Sequence, residues 1–112
     1  MAAPLTAHAL GRHVALAGFM GSGKTTIGRQ LATQLQRPFV DLDEEIEQRA
    51  GSAIAEVFRR DGESAFRALE EAVAHEVLGR GAPAVIALGG GAVISERTRS
   101  ELAARAFTVL ID

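Results

Sequence analysis

The stretch Gly18-Phe19-Met20-Gly21-Ser22-Gly23-Lys24-Thr25 constrains this chain more than any other. It fits G-x-x-x-x-G-K-[ST], the pattern of a loop that wraps a nucleotide polyphosphate. Glycines let the backbone turn tightly and bring its N–H groups close to phosphate oxygens. Lys24 adds a charge that reaches the β- and γ-phosphates, and Thr25 offers a hydroxyl to magnesium. Such a loop has to leave a buried strand and open a helix, whose positive dipole end then faces the same phosphates. Both flanks comply. Val14-Ala15-Leu16-Ala17 precedes the loop as a short apolar run. After it, Ile27, Leu31 and Leu35 stand four apart on one helical face.

The rest of the chain alternates in the same way. Pro38 breaks the first helix, and Phe39-Val40-Asp41 reads as a short strand. A helix is expected over 44–50, ended by Gly51 as a C′ residue. Ser52 is placed to cap a short helix over 54–60, which Asp61-Gly62 stops. A longer helix follows over 63–78, with Phe66, Leu69, Val73 and Val77 at three-and-four spacing. After a turn over 79–83, Ala84-Val85-Ile86-Ala87-Leu88 is apolar throughout, as in a central strand covered on both faces. A helix over 95–105 leads to a last strand, 107–111. This order predicts an α/β domain with a parallel sheet and helices on both faces. Ligands in such sheets lie beyond the carboxyl ends of the strands. The glycine-rich loop, Asp41-Leu42-Asp43 and Gly89-Gly90-Gly91 all follow strands, so they are expected to converge.

Composition narrows the function classes. A chain of 112 residues suits one small domain, and 47% hydrophobic content supports a buried core. A formal net charge of −2 gives no basic footprint for nucleic acid, and five Phe without Trp or Tyr give no stacking platform. Absence of cysteine excludes disulfides and thiolate metal sites and fits a reducing compartment. Residues 1–12 read as a flexible arm, with neither the basic start of a signal peptide nor a membrane span. The expectation is a cytoplasmic protein with no membrane partner.

Several residues allow two readings. A P-loop protein usually carries an acid near magnesium at a second strand end. Asp41 and Asp112 both qualify by position. The pair Asp41-x-Asp43 suits a division of labour, one carboxylate facing the metal's water shell and the other an acceptor hydroxyl. Equally, both fit the start of a helix, with Asp43 as its N-cap. Arg67 can hold an acidic substrate by a bidentate pair, or simply pair with Glu63 or Glu71 on its own helix. Three consecutive glycines after a buried strand suggest close approach of backbone to a ligand. His8, His13 and His75 have no ligand spacing and read as surface or partly buried residues.

Taken together, four motifs make the chain resemble the shikimate kinases. They are Gly18 to Gly28, Asp41-Leu42-Asp43, Gly62-Glu63-Ser64-Ala65-Phe66-Arg67-Ala68-Leu69-Glu70, and Leu88-Gly89-Gly90-Gly91-Ala92-Val93. The resemblance implies a P-loop three-layer sandwich with strand order 2-3-1-4. It implies transfer of the ATP γ-phosphoryl group to the 3-hydroxyl of shikimate, with Mg²⁺ as cofactor, in a form that is monomeric at full length. By the same resemblance Gly21, Ser22, Gly23, Lys24, Thr25 and Thr26 hold the phosphates, and Thr25 and, through water, Asp41 serve the metal. Asp43 binds the shikimate ring hydroxyls and acts as base, Arg67 clamps the carboxylate, and Gly90 meets the substrate through its N–H. A kinase for another small hydroxy acid and a non-catalytic nucleotide-binding module are the alternatives.

Members of this family run well past the last strand seen here. The resemblance implies that the arginine-bearing lid, a further substrate arginine, a fifth strand and the adenine-contacting loop are missing. The expectation is a fragment or a shortened form. Because a closing lid keeps water from the phosphates, these 112 residues alone are expected to turn shikimate over slowly. A coupled ADP assay checks this, and ordinary kinase rates contradict it.

Overall fold

The computed structural model of the chain describes residues 11–18, 23–89 and 95–111. Its elements run in the order β1 (His13–Gly18), α1 (Lys24–Leu35), β2 (Phe39–Asp41), α2 (Leu42–Ala50), α3 (Ile54–Leu78), β3 (Val85–Ala87), α4 (Glu96–Arg105) and β4 (Ala106–Ile111). The strands form one sheet in the order β2-β3-β1-β4, and every pairing is parallel. This is the expected order. At the centre, Val14, Ala15 and Leu16 lie beside Val85, Ile86 and Ala87, and all six are buried.

Alternation along the strands sorts these side chains into two layers. Val14, Leu16 and Val85 join Ala32 of α1, with Leu31, Leu35 and Phe39 packed against them. Ala15 and Ile86 face the other way, among Leu42 and Ile46 of α2, Val73 and Val77 of α3, and Leu102 of α4. Complete burial of each Val, Leu or Ile is worth about 1.5–3 kcal/mol, so both faces of the central pair contribute to stability. Among the described residues, no helix is long and apolar enough to cross a membrane.

Several local expectations change. The face of α1 that meets the sheet is centred on Gly28 and Ala32, both buried, whereas Ile27 is exposed. A β-carbon on Gly28 would overlap Phe39 Cε1 and stand 3.2 Å from Leu16 Cδ1. The glycine therefore lets the helix lie close on the sheet. The cap on α2 is Asp41, not Asp43. Asp41 Oδ1 accepts from the N–H groups of Asp43 (2.9 Å) and Glu44 (3.3 Å), so the helix starts at Leu42, before the expected 44. Ser52 does not cap the next helix. Glu47 Oε2 instead accepts from the N–H of Ile54 at 2.8 Å.

The helices expected over 54–60 and 63–78 both form and meet at a kink within α3, where Gly62 leaves helical backbone (φ 88°, ψ 171°), so the expected stop at Asp61-Gly62 holds. Phe58 and Phe66 bridge the kink with ring centroids 5.5 Å apart. That contact packs the two arms against each other across the break. His13 is buried rather than superficial. Its Nδ1 accepts from the N–H of Ala84 at 3.0 Å, and its Nε2 bonds the Leu78 carbonyl at 3.1 Å. Backbone N–H can only donate and a carbonyl can only accept, which sets the Nε2–H tautomer. The ring thus ties the start of β1 to the end of α3 and the entry to β3.

Gly28 generates a stability prediction. Gly28→Ala gains about 1 kcal/mol of helix propensity but overpacks against Phe39 and Leu16 at roughly 1–3 kcal/mol. A net loss on the order of 1 kcal/mol is expected in urea denaturation. In a Phe39→Leu background the same change should be neutral or stabilising.

Candidate active site

The strand ends do converge. Gly23, Lys24, Thr25 and Thr26 from the start of α1, Asp41 and Asp43 after β2, and Ala87 and Leu88 after β3 line one cleft of about 400 Å³. The parallel sheet brings these segments to one edge because all its carboxyl ends point the same way. Lys24 Nζ donates to the Gly18 carbonyl at 2.7 Å, which ties the start of α1 to the end of β1. Thr25 and Thr26 sit in the first turn of α1 and are exposed. Gly21, Ser22, Gly90 and Asp112 lie outside the described residues, as does His8.

Asp43 is the half-buried acid of the cleft. Its pKa is raised above the ordinary 3.8, first by burial and then by the neighbouring charges of Asp41, Glu70 and Glu47, with Lys24 opposing. Asp41 is committed on Oδ1 to the α2 cap. Its second oxygen is not part of that cap, so the residue can hold the helix and still present an acceptor to the cleft. Among the described residues, no three His, Asp or Glu side chains gather as a metal cage.

Arg67 does not line this cleft. It borders an adjoining hollow of about 230 Å³ with Ala68, Glu70, Glu71 and Ser95. Its Nη1 donates to Glu70 Oε1 at 3.0 Å, and its Nε lies 3.7 Å from Glu63. The expected partner on its own helix was Glu63 or Glu71. The structure gives Glu63 and, more closely, the buried Glu70. The guanidinium also lies 5.4 Å from the Phe66 ring centroid. Five donors exceed what these carboxylates consume, and the planar fork suits a further carboxylate.

Glu70 is what sequence reasoning missed. It pairs with Arg67 and also acts on Asp43, which couples the hollow to the cleft. A sequence signal existed: an acid three residues from an arginine on an apolar-periodic helix. Periodicity did not reveal that Glu70 faces inward. Gly89 was read only as one of three glycines, yet a β-carbon there would overlap Asp43 Oδ1.

A parallel sheet with a G-x-x-x-x-G-K-T loop running from β1 into α1, and acids at the next strand end facing that lysine, defines a P-loop α/β protein. A sequence model of shikimate kinase matches residues 20–112. Shikimate kinase of Thermobifida fusca is 52% identical over 88 residues, covering 79% of this chain and 51% of its own length. That of Bradyrhizobium diazoefficiens is 50% identical over 98 residues, covering 88% and 47%. The solved structure of shikimate kinase from Acinetobacter baumannii in complex with shikimate superposes with a TM-score of 0.85 at 42% identity, over 89% of this chain and 55% of that one. The chain belongs to the shikimate kinase family, and it spans about half the length of the curated relatives it matches.

The raised pKa of Asp43 generates a pH prediction. The folded protein holds this proton more tightly than the unfolded chain, so the group's contribution to stability is greatest in acid. That contribution is lost as pH rises from the ordinary 3.8 through the raised folded value. Asp43→Asn, which cannot ionise, should melt higher than the wild type at pH 7, and the two curves should converge in acid. Thermal melts across pH check this.

Proposed function

We propose that this chain provides the phosphate-gripping and acceptor-binding part of a shikimate kinase, which moves the γ-phosphoryl group of ATP to the 3-hydroxyl of shikimate. The observation that carries the reading is the meeting of Lys24 and Asp43 in one cleft, beside the Arg67–Glu70 pair. A phosphoryl donor, a hydroxyl acceptor and the anionic group of the acceptor each find a suitable residue there. Membership of the family supports the choice of shikimate.

In this reading residues 21–26 cradle the phosphates, with backbone N–H groups and the α1 dipole matching their charge. Lys24 swings from the Gly18 carbonyl to the β- and γ-phosphates, exchanging a neutral partner for charged ones. Asp43 accepts a hydrogen bond from the 3-hydroxyl and takes its proton as the new P–O bond forms. Burial and neighbouring acids raise its basicity, which suits a proton acceptor. Arg67 keeps Glu70 and offers its remaining donors to the shikimate carboxylate. Gly90 contributes its N–H to the ring.

The donor set fits magnesium held sparingly by protein. The Thr25 hydroxyl is one ligand, and Asp41, with Oδ1 spent on the cap, reaches the ion through water. Waters and phosphate oxygens complete such a shell. When bound, the ion neutralises charge on the transferring group.

Phosphoryl transfer depends on positioning and charge neutralisation, so the residues should fail differently. Lys24→Met should lower kcat. Arg67→Ala removes a charge-assisted bond and should raise the KM for shikimate by about 10- to 100-fold, leaving that for ATP nearly unchanged. Nucleotide titration followed by ADP release with shikimate and with a panel of other hydroxy acids tests the assignment. Shikimate should stimulate release above the others. Nucleotide binding without any stimulation would overturn it.

A further inference from the structure

Gly89 stands between two rigid segments. On one side, Ala87 and Leu88 are buried, and the Leu88 N–H donates to the Leu16 carbonyl at 2.9 Å, which anchors the end of β3 to β1. On the other, Asp43 sits between the buried Leu42 and the buried Ile46 one turn on, with its own N–H bound to Asp41 Oδ1. The Asp43 carboxylate bridges the gap and rests against the bare Cα of Gly89. A β-carbon on Gly89 would overlap Oδ1, stand 3.2 Å from Cγ and 3.4 Å from Oδ2. The φ angle of Gly89 is outside the left-handed region, so room, and not backbone freedom, is what calls for glycine here.

We propose that Gly89 is a positioning residue whose missing side chain is the seat of the Asp43 carboxylate. The proposal deepens the reading of Asp43 as proton acceptor and rests on it for its functional consequence. Neither backbone can retreat cheaply, since both are pinned by buried apolar side chains and by short hydrogen bonds. A methyl group at position 89 therefore evicts the Asp43 side chain into another rotamer. Eviction places the carboxylate further into solvent, away from the acids that crowd it and from the hydroxyl it would receive. The seat also explains how a charged group stays half-buried among Asp41, Glu47 and Glu70 instead of swinging to water.

The test uses Gly89→Ala, Asp43→Ala and the double variant of the full chain. A crystal structure of Gly89→Ala should show the Asp43 side chain in another rotamer, its carboxylate moved off the space above residue 89. Gly89→Ala should shift the melting temperature when Asp43 is present and leave it unchanged in the Asp43→Ala background, where the space is vacant. Shikimate-dependent turnover should fall at least tenfold in Gly89→Ala, with nucleotide affinity unchanged and no further loss on adding Gly89→Ala to Asp43→Ala. An unaltered Asp43 rotamer in Gly89→Ala, or a melting shift equally large in the Asp43→Ala background, would overturn the seat. The rotamer and melting readouts need no substrate, so a seat confirmed without any shikimate-dependent turnover would refute the kinase reading alone.

Discussion

Parallel pairing of β1 with β3 is the constraint on which the rest of the structure depends. Val14, Ala15 and Leu16 against Val85, Ile86 and Ala87 make a central pair with no exposed face, so both sides must be covered by helices. The connections that supply these helices also force the strands to run the same way. One direction means one carboxyl edge. The phosphate loop leaves β1 at that edge, Asp41 and Asp43 leave β2 there, and Gly89 leaves β3 there. Without the β1–β3 pair, three polar segments distant in sequence would have no reason to meet.

Acids dominate the described part of the cleft once they have met. Asp41, Glu47 and Glu70 act on Asp43 with Lys24 as counterweight, and Glu70 is balanced by Arg67. Such crowding costs stability and is tolerated where function needs a basic carboxylate. The arrangement resists relaxation because each acid has a structural duty. Asp41 caps α2, Glu47 caps the start of α3, and Glu70 holds Arg67. Asp43 is the exception. Among the described residues its carboxylate has a seat rather than a hydrogen-bonded duty.

The helical layer opposite α1 relies on similar cross-links. His13 joins β1 to α3 and β3 through its two ring nitrogens. On the surface, Arg80 donates to Glu76 (2.9 Å) and Glu45 (3.1 Å), and Arg49 pairs with Glu76. These two arginines hold the Glu76 pKa down at about 2. Exposed pairs of this kind contribute little each. They link α2 to the end of α3 across the surface.

Much of the fold was legible in the residue order. The apolar runs and the glycine-rich loop, with the family resemblance their motifs carry, were enough for a parallel sheet in the order 2-3-1-4, and the strand-end rule brought Lys24, Thr25, Asp41 and Asp43 together. These features are local: a period, a loop pattern, a strand followed by an acid. Other features depend on what each residue meets across the structure. The structure decided that Asp41 and not Asp43 caps α2, that Glu47 displaces Ser52 as a cap, and that Phe58 and Phe66 pack across the kink at Gly62. It also decided that Glu70 turns inward to join Arg67 with Asp43, and that Gly89 is bare because a carboxylate rests on it. The caps and the Phe58–Phe66 contact are choices among near neighbours, whereas Asp43 meets Glu70 and Gly89 across long stretches of chain, and steric room and partial burial exist only once those segments have packed.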